Sequence, residues 1–450
     1  MLSGPKTLLE SAMETVNFVV HPSVIITVNS HSEVLRETSI VVRDGRIESL
    51  LPTTEARSLE GIAQVDLSDH VLMPGLINAH GHAAMTLLRG IADDMALTQW
   101  LNDKIWPLEN KWVDQAFVMD GTEIAAAEMI MSGVTTASDQ YFFPDIAAQT
   151  FQQAGLRAQL TFPIIDVETA WGRNGADYLE KGLALRDTYR DHDRVTVGFG
   201  PHSNYAVDEF LLEKTATLAA ELDAPVQIHL HETAHEVLSS VERIGERPID
   251  QLARLGLLSP KTQCVHMTAL GNQDIDTIAA HGAHVVHCPK SNMKLASGLC
   301  PVTKLLDRGI NVALGTDGAA SNNRLNALSE MQAAALLAKI ESGSPEALPA
   351  HQAIELATIN GAKALGIDHI TGSIEVGKAA DMIALDTSEL AMAPGHNVVS
   401  DVVYATAGNE VRWSWVAGRN ILRDRRLQTL DIEAISRKAA AWRVKLSSLN

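Results

Sequence analysis

The sequence predicts an α/β protein: a (β/α)8 barrel with a small β-sandwich domain built from both termini. Three observations lead there. From residue 71 to about 370, short apolar β-favouring runs alternate with longer stretches of helical periodicity. The first such run is followed by "NAHGHAAM" (78–85), which has no G-x-G-x-x-G and so argues against an open, doubly wound dinucleotide-binding sheet. The flanks on either side are strand-like with glycine turns and lack intervening helices.

Taken in order, "VNFVVHPSVIITVNS" and "TSIVVRDGRIESLLP" read as strands, the second broken by an Asp44-Gly45 hairpin turn. Eight strands follow: "VLMPGLI" (71–77), "VTTAS" (134–138), "AQLTFPII" (158–165), "VTVGFG" (195–200), "PVQIHL" (225–230), "TQCVHM" (262–267), "HVVHC" (284–288) and "NVALGT" (311–316). Between them, helices are expected at 113–132, 145–154, 176–190, 208–222 and 272–280, and after them at 326–341 and 350–365. Eight β-α units in roughly 300 residues suit a closed barrel. "GSIEVGKAADMIALD" and "VVYATAGNEVRWSWVAGRNIL" return to strands, and 431–446 reads as a helix. The domain division expected is 1–72 for the first part of the sandwich, 73–370 for the barrel, and 371–450 for the second part with the terminal helix.

Composition narrows the function classes. The chain of 450 residues is 46% hydrophobic and 20% charged, with a net charge of −19. That is a globular composition, and its acidity speaks against nucleic acid or an anionic membrane as partner. No apolar run approaches the length of a membrane span, and residues 1–20 show no signal-peptide pattern. Cys264, Cys288 and Cys300 form no C-x-x-C and read as free thiols of a reducing compartment, so a cytoplasmic protein is expected.

In such a barrel the working side chains stand at the C-terminal ends of the strands. Strand one ends in His80 and His82, whose i, i+2 spacing puts both on one face. Strand four ends in His202. Strand five ends in "HLHETAHE" with His229, His231 and Glu232, strand six in His266, and strand eight in Asp317. Each alone is weak evidence. An H-x-H pair is common in a chain with 17 histidines, and Asp317-Gly318 also reads as a turn or helix cap. His284 and His287 read as structural, His235 and His281 as helix-surface residues. Together, imidazoles and a carboxylate converging on one barrel mouth suit a divalent ion, zinc foremost, with Fe2+ or Mn2+ also compatible. Periodicity does not decide between His229 and His231.

The motifs "PGLINAHGHAAMTLLRG", "WLNDKIWPLE", "GFGPHSNY", "IHLHET", "CVHM", "HCPKSNMKLASG" and "LGTDGAASNN" resemble the amidohydrolase superfamily, and within it the 5-methylthioadenosine/S-adenosylhomocysteine deaminase family, over nearly the whole length. The resemblance implies His80, His82, His229 and Asp317 as ligands of one metal ion. It implies Glu232 as a proton-transfer carboxylate and His266 as a polarising residue beside the bound water. No bridging lysine is expected, because strand four ends in "GFGPH". The activity implied is hydrolytic deamination at adenine C6 in 5′-methylthioadenosine, S-adenosylhomocysteine or both, with adenosine a further candidate. In that chemistry the metal-bound water loses a proton, Asp317 takes it, and Glu232 protonates N1. The alternative is another aminohydrolase or chlorohydrolase acting on guanine, cytosine or triazines. By the same resemblance Trp100 packs on substrate, Glu109 accepts from the ribose hydroxyls and His202 meets the adenine edge. Arg173, in "AWGRNGAD", is the candidate for the substrate's distal end. Glu232 and Asp317 contact substrate as well as catalysing. The partner expected is a small nucleoside, and the family suggests a homodimer.

Overall fold

The computed structural model describes residues 17–447. Residues 1–16, which carry most of the stretch read for a leader, lie outside the described residues. Five strands open the chain: β1 (Phe18–Ile26), β2 (Val34–Arg36), β3 (Thr38–Arg43), β4 (Arg46–Pro52) and β5 (Ala63–Pro74). Asp44 and Gly45 both take positive φ (48° and 74°), the mirror-image turn whose twist matches the β3–β4 hairpin. Eight further strands build the barrel: β6 (Leu76–Asn78), β7 (Val134–Asp139), β8 (Arg157–Ile164), β9 (Val195–Pro201), β10 (Val226–Leu230), β11 (Thr262–His266), β12 (His284–His287) and β13 (Val312–Leu314). The chain closes with β14 (Met382–Asp386), β15 (Val411–Val416), β16 (Arg419–Arg423), β17 (Arg426–Leu427) and the helix Ile432–Ser447.

The eight central strands pair in sequence order, β6 to β13, and every neighbour is parallel. Their side chains are buried almost without exception, as expected of strands covered on both faces. The seam between first and last strand is laced by Ala79 N–H to Leu314 O (2.8 Å) and Asp317 N–H to His80 O (3.1 Å). Helices Gln115–Met131, Pro144–Ala154, Gly175–Thr188, Glu209–Glu221, Asn272–His281 and Ala327–Ser342 alternate with the strands. Asp114, Asn174, Asp208 and Asn326 cap four of them, each side chain accepting a first-turn N–H.

The two ends of the chain share one nine-stranded mixed sheet, ordered β17-β16-β15-β14-β5-β1-β3-β4, with β2 on β1. Its core gathers Phe18, Ile40, Leu72, Met382 and Trp415. Asp381, just before β14, ties this sheet to the barrel: Arg157 of β8 reaches its carboxylate through Nε (2.5 Å) and Nη2 (3.3 Å), both side chains being buried.

Three sequence expectations need correction. The run 71–77 is not one barrel strand. Its first half continues β5, where Val71 faces Leu385 and Leu72 faces Ala384, and only Leu76–Asn78 enters the barrel. The chain changes sheet at Gly75, where a Cβ would stand 2.1 Å from Thr135 Oγ1, so only glycine lets β5 and β7 pass this closely. The helix expected at 350–365 is two, Ala350–Leu356 and Ile359–Ala364, parted at Thr358 (φ −135°). Short helices at Ala234–Ile244, Pro248–Arg254, Pro289–Lys294, Val302–Asp307 and Val398–Tyr404 were not anticipated. Among the described residues, no helix is long and apolar enough to cross a membrane.

Candidate metal centre and active site

The seam between β6 and β13 builds the centre. Asn78 spans it, its Oδ1 accepting from Thr316 N–H and its Nδ2 donating to Thr316 Oγ1, each at 2.8 Å. That clamp sets His80 and Asp317 side by side. His80, His82, His229 and Asp317 each offer a ligand atom, all within 4.8 Å of one another. Nε2 of His80 and of His82 lie 3.4 and 3.2 Å from Asp317 Oδ1.

The ring nitrogens facing away from the cluster decide its chemistry. Nδ1 of His80 meets Gln227 Oε1 (2.7 Å), Nδ1 of His82 meets Gln140 O (2.6 Å), and Nδ1 of His229 meets His202 O (2.8 Å). Each partner atom can only accept, so each Nδ1 carries a hydrogen and Nε2 is the nitrogen turned toward the cluster. His80 Nε2 is fully buried and has no hydrogen-bond partner, a costly arrangement without a cation in front of it. Asp317 Oδ2 is held by Ser291 Oγ (2.6 Å) and Ser321 Oγ (2.7 Å), which leaves Oδ1 toward the imidazoles. Burial alone would raise the Asp317 carboxyl, yet the imidazoles of His80 and His82 beside it hold it well below the usual carboxylate range, and that carboxylate in turn raises His82 to about 9. Three imidazoles that present Nε2 and one carboxylate are a fitting donor set for a divalent ion that keeps a position open, the ion displacing the proton that His82 otherwise holds.

Two further groups border the cluster. The strand β10 stops at Leu230, and His231 takes φ 51°. This left-handed step sends His231 out of the site: its Nδ1 meets Ala269 O (3.0 Å) and its Nε2 accepts from Ile249 N–H (3.2 Å). The same step swings Glu232 onto the side that faces the cluster, as an uninterrupted strand would not. Burial, then the negative charge of Asp317, push the Glu232 carboxyl up to about 8. His266 (φ 76°) stands with Nε2 3.8 Å from Glu232 Oε2 and Nδ1 2.8 Å from Asn292 Oδ1. Burial lowers its pKa, so it is neutral at pH 7. His202 lies against the His229 ring at 4.9 Å, and burial takes it down to about 4.

All of these open into one cavity of about 510 Å3. Its apolar wall comes from the segment after β6: Leu97, Trp100, Leu101, Ile105, Trp106 and Val113. Trp100 is fixed by Nε1–H to Ala92 O (3.1 Å). Glu109 also lines the cavity, accepts from Tyr141 O–H (2.6 Å), and is raised by burial to about 7. The cavity thus gathers His82, Trp100, Glu109, His202, His229, Glu232, His266 and Asp317, with His80 directly behind. It does not take in Arg173, whose exposed guanidinium donates through Nη2 to Oδ1 of the buried Asp177 (2.9 Å). Sequence reasoning missed Gln227, Gln140, Tyr141 and the two serines on Asp317. Gln227 was within reach, since it sits two residues before His229 and so shares its face of the strand. His287, read as structural, is buried beside the site with Nδ1 unpartnered.

Comparison with known proteins agrees with this geometry. The amidohydrolase family model matches residues 71–421. A 5-methylthioadenosine/S-adenosylhomocysteine deaminase of Teredinibacter turnerae is 49% identical, over 96% of this chain and 98% of its own. A 5'-deoxyadenosine deaminase of Methanothermobacter thermautotrophicus is 39% identical, over 92% and 96%. The crystal structure of an adenosine deaminase from Xanthomonas campestris with bound zinc superposes at a TM-score of 0.95 with 41% identity, covering 97% of this chain and all of that one. With the barrel strands and every cluster residue inside the matched span, and relatives alike from end to end, the chain belongs to the amidohydrolase family.

Proposed function

We propose that the protein hydrolytically deaminates adenine C6 in 5′-substituted adenosines, 5′-methylthioadenosine and S-adenosylhomocysteine among them, releasing ammonia and the inosine analogue. The observation that carries this is the buried, proton-bearing Glu232 set beside the four-residue cluster at the cavity floor. Relatives named as deaminases of such nucleosides, alike over nearly their whole length, support it.

In this reading His80, His82, His229 and Asp317 hold one divalent ion, zinc. When bound, the ion lowers the pKa of a coordinated water from ~15.7 to about 7. Asp317, its Oδ2 fixed by Ser291 and Ser321, would be the carboxylate that takes up that water's proton. Glu232 delivers its proton to N1, which withdraws electrons from C6 and opens it to attack. His266, neutral and anchored by Asn292, turns Nε2 toward the oxygen that adds to C6 and orients it. The proton held by Asp317 passes to the amino group, the C6–N6 bond breaks as the C6 hydroxyl gives its proton back to Glu232 and becomes the carbonyl, and ammonia leaves. Trp100 covers the substrate, His202 meets the adenine edge, and Glu109 accepts from the ribose hydroxyls once they displace Tyr141. The same reading makes the protein a homodimer of the cytoplasm; the three buried free thiols, Cys264, Cys288 and Cys300, fit a reducing compartment.

The test is ammonia release by zinc-loaded protein from 5′-methylthioadenosine, S-adenosylhomocysteine, adenosine and guanine. Nucleosides are turned over and guanine is not; turnover of guanine alone overturns the reading. Glu232→Gln keeps its metal content and loses kcat by about 10²–10⁴-fold.

A further inference from the structure

The cavity lining sorts by depth. His229, Glu232, His266 and Asp317 are buried at its floor, whereas Asp166, Val167, Glu168, Ala170 and Tyr205 are exposed at its mouth. The purine 6-position must reach the floor, and the 5′ substituent lies at the other end of the nucleoside. The group that distinguishes one 5′-substituted adenosine from another therefore rests against the mouth.

The mouth offers such a group no cation. Its charged lining residues are Asp166 and Glu168, both acidic, and no lysine or arginine lines the cavity at any depth among the described residues. Arg173, five residues on from Glu168, lies outside the cavity lining and is tied to Asp177, a carboxylate that Lys181 Nζ also reaches (3.0 Å). Its guanidinium and its backbone N–H both donate to Asp177 (2.9 and 3.0 Å), and Glu180 and Glu168 add further negative charge around it. The whole chain, at −19, adds a field of the same sign.

We propose that this outer subsite selects 5′ substituents without an anionic group, an uncharged alkylthio or a cationic alkylamine, over those that end in a carboxylate. This rests on the deaminase reading. The α-ammonium of a homocysteine tail is welcome beside Asp166 and Glu168; its carboxylate meets like charge and no bidentate donor.

The experiment compares kcat/KM for three nucleosides: 5′-methylthioadenosine, S-adenosylhomocysteine, and 5′-(3-aminopropylthio)-5′-deoxyadenosine, which is S-adenosylhomocysteine without its carboxylate. The amine is turned over at least about tenfold more efficiently than S-adenosylhomocysteine, and about 0.5 M NaCl narrows the gap because the mouth is open to screening. Glu168→Arg raises kcat/KM for S-adenosylhomocysteine relative to methylthioadenosine. Arg173→Ala leaves that ratio where it was. Equal efficiency for the amine and S-adenosylhomocysteine, or a selective loss of S-adenosylhomocysteine turnover in Arg173→Ala, overturns the subsite while the deaminase reading stands. Failure of all three to release ammonia overturns that reading and the subsite with it.

Discussion

Among single residues, Gln227 carries more than its position suggests. Its Oε1 fixes the His80 tautomer, while its Nε2 donates to Ala79 O (2.9 Å) and Gln263 Oε1 (2.6 Å). Gln263 in turn donates to Gln159 Oε1 (3.2 Å) and Ala364 O (2.9 Å), so the barrel interior below the cluster is a closed amide network. Replacing Gln227 by methionine keeps the volume but frees the His80 ring. Metal affinity then falls about 10–100-fold in chelator competition; unaltered affinity removes Gln227 from this role. Glu232 makes a second prediction. Its pKa is raised in the folded protein, so its proton is present below about 8 and lost above it. A donor of this kind gives kcat/KM that is level below that pH and drops about tenfold per unit beyond it. A profile that climbs through pH 8–9 excludes Glu232 as the acid. At this scale the sequence was legible up to a limit. The residue types and their places at strand ends pointed to the cluster, but the choice between His229 and His231 turns on one left-handed φ, which alternation along a strand does not reveal.

At the scale of elements, most barrel strands and the longer helices fall near where periodicity puts them, because buried parallel strands are continuous apolar runs. Sheet membership is different. Nothing in "VLMPGLI" marks that Val71–Pro74 pairs with β14 while Leu76–Asn78 pairs with β7; the division is made by partners far away in sequence. The short helices between strands and later helices were overlooked for a related reason. Stretches such as Pro289–Lys294 are too brief for a helical repeat, and they hold because Ser291 and Asn292 are fixed from outside, by Asp317 and His266. Close approach between β6 and β13 depends on Gly315, where a Cβ would stand 2.8 Å from His80 Cβ and 3.0 Å from its backbone. Gly315→Ala pushes His80 away from Asp317. The expected cost is about 1–3 kcal/mol in denaturant unfolding together with weaker metal retention. Full metal content at unchanged stability would show that the seam has slack.

For the molecule as a whole, the Arg157–Asp381 pair is a buried ionic tie between barrel and terminal sheet. Asp381 Oδ1 also accepts from Ala417 N–H (2.6 Å), so three distant segments meet on one carboxylate. Asp381→Ala strands a buried guanidinium and costs about 3–5 kcal/mol, whereas the double change Arg157→Met, Asp381→Leu costs much less, since a pair replaced by apolar groups leaves no orphan charge. Chemical denaturation of both variants separates the two cases; equal losses would mean that packing, not charge, holds the junction. The helix Ile432–Ser447 adds a second tie, with Trp442 edge-on to Phe117 at 5.3 Å and its Nε1–H on Asp120 Oδ2 (2.8 Å).

The passage of the chain from β5 into the barrel at Gly75 has a consequence for synthesis. When β5 leaves the ribosome, β1 is ready to lie along one flank, but the other flank waits for β14, which is translated only after all eight barrel strands. Throughout that interval a long strand shows a bare row of amide and carbonyl groups. A nascent chain stalled short of Met382 keeps that row open for good, and neighbouring copies are the nearest strands able to cover it.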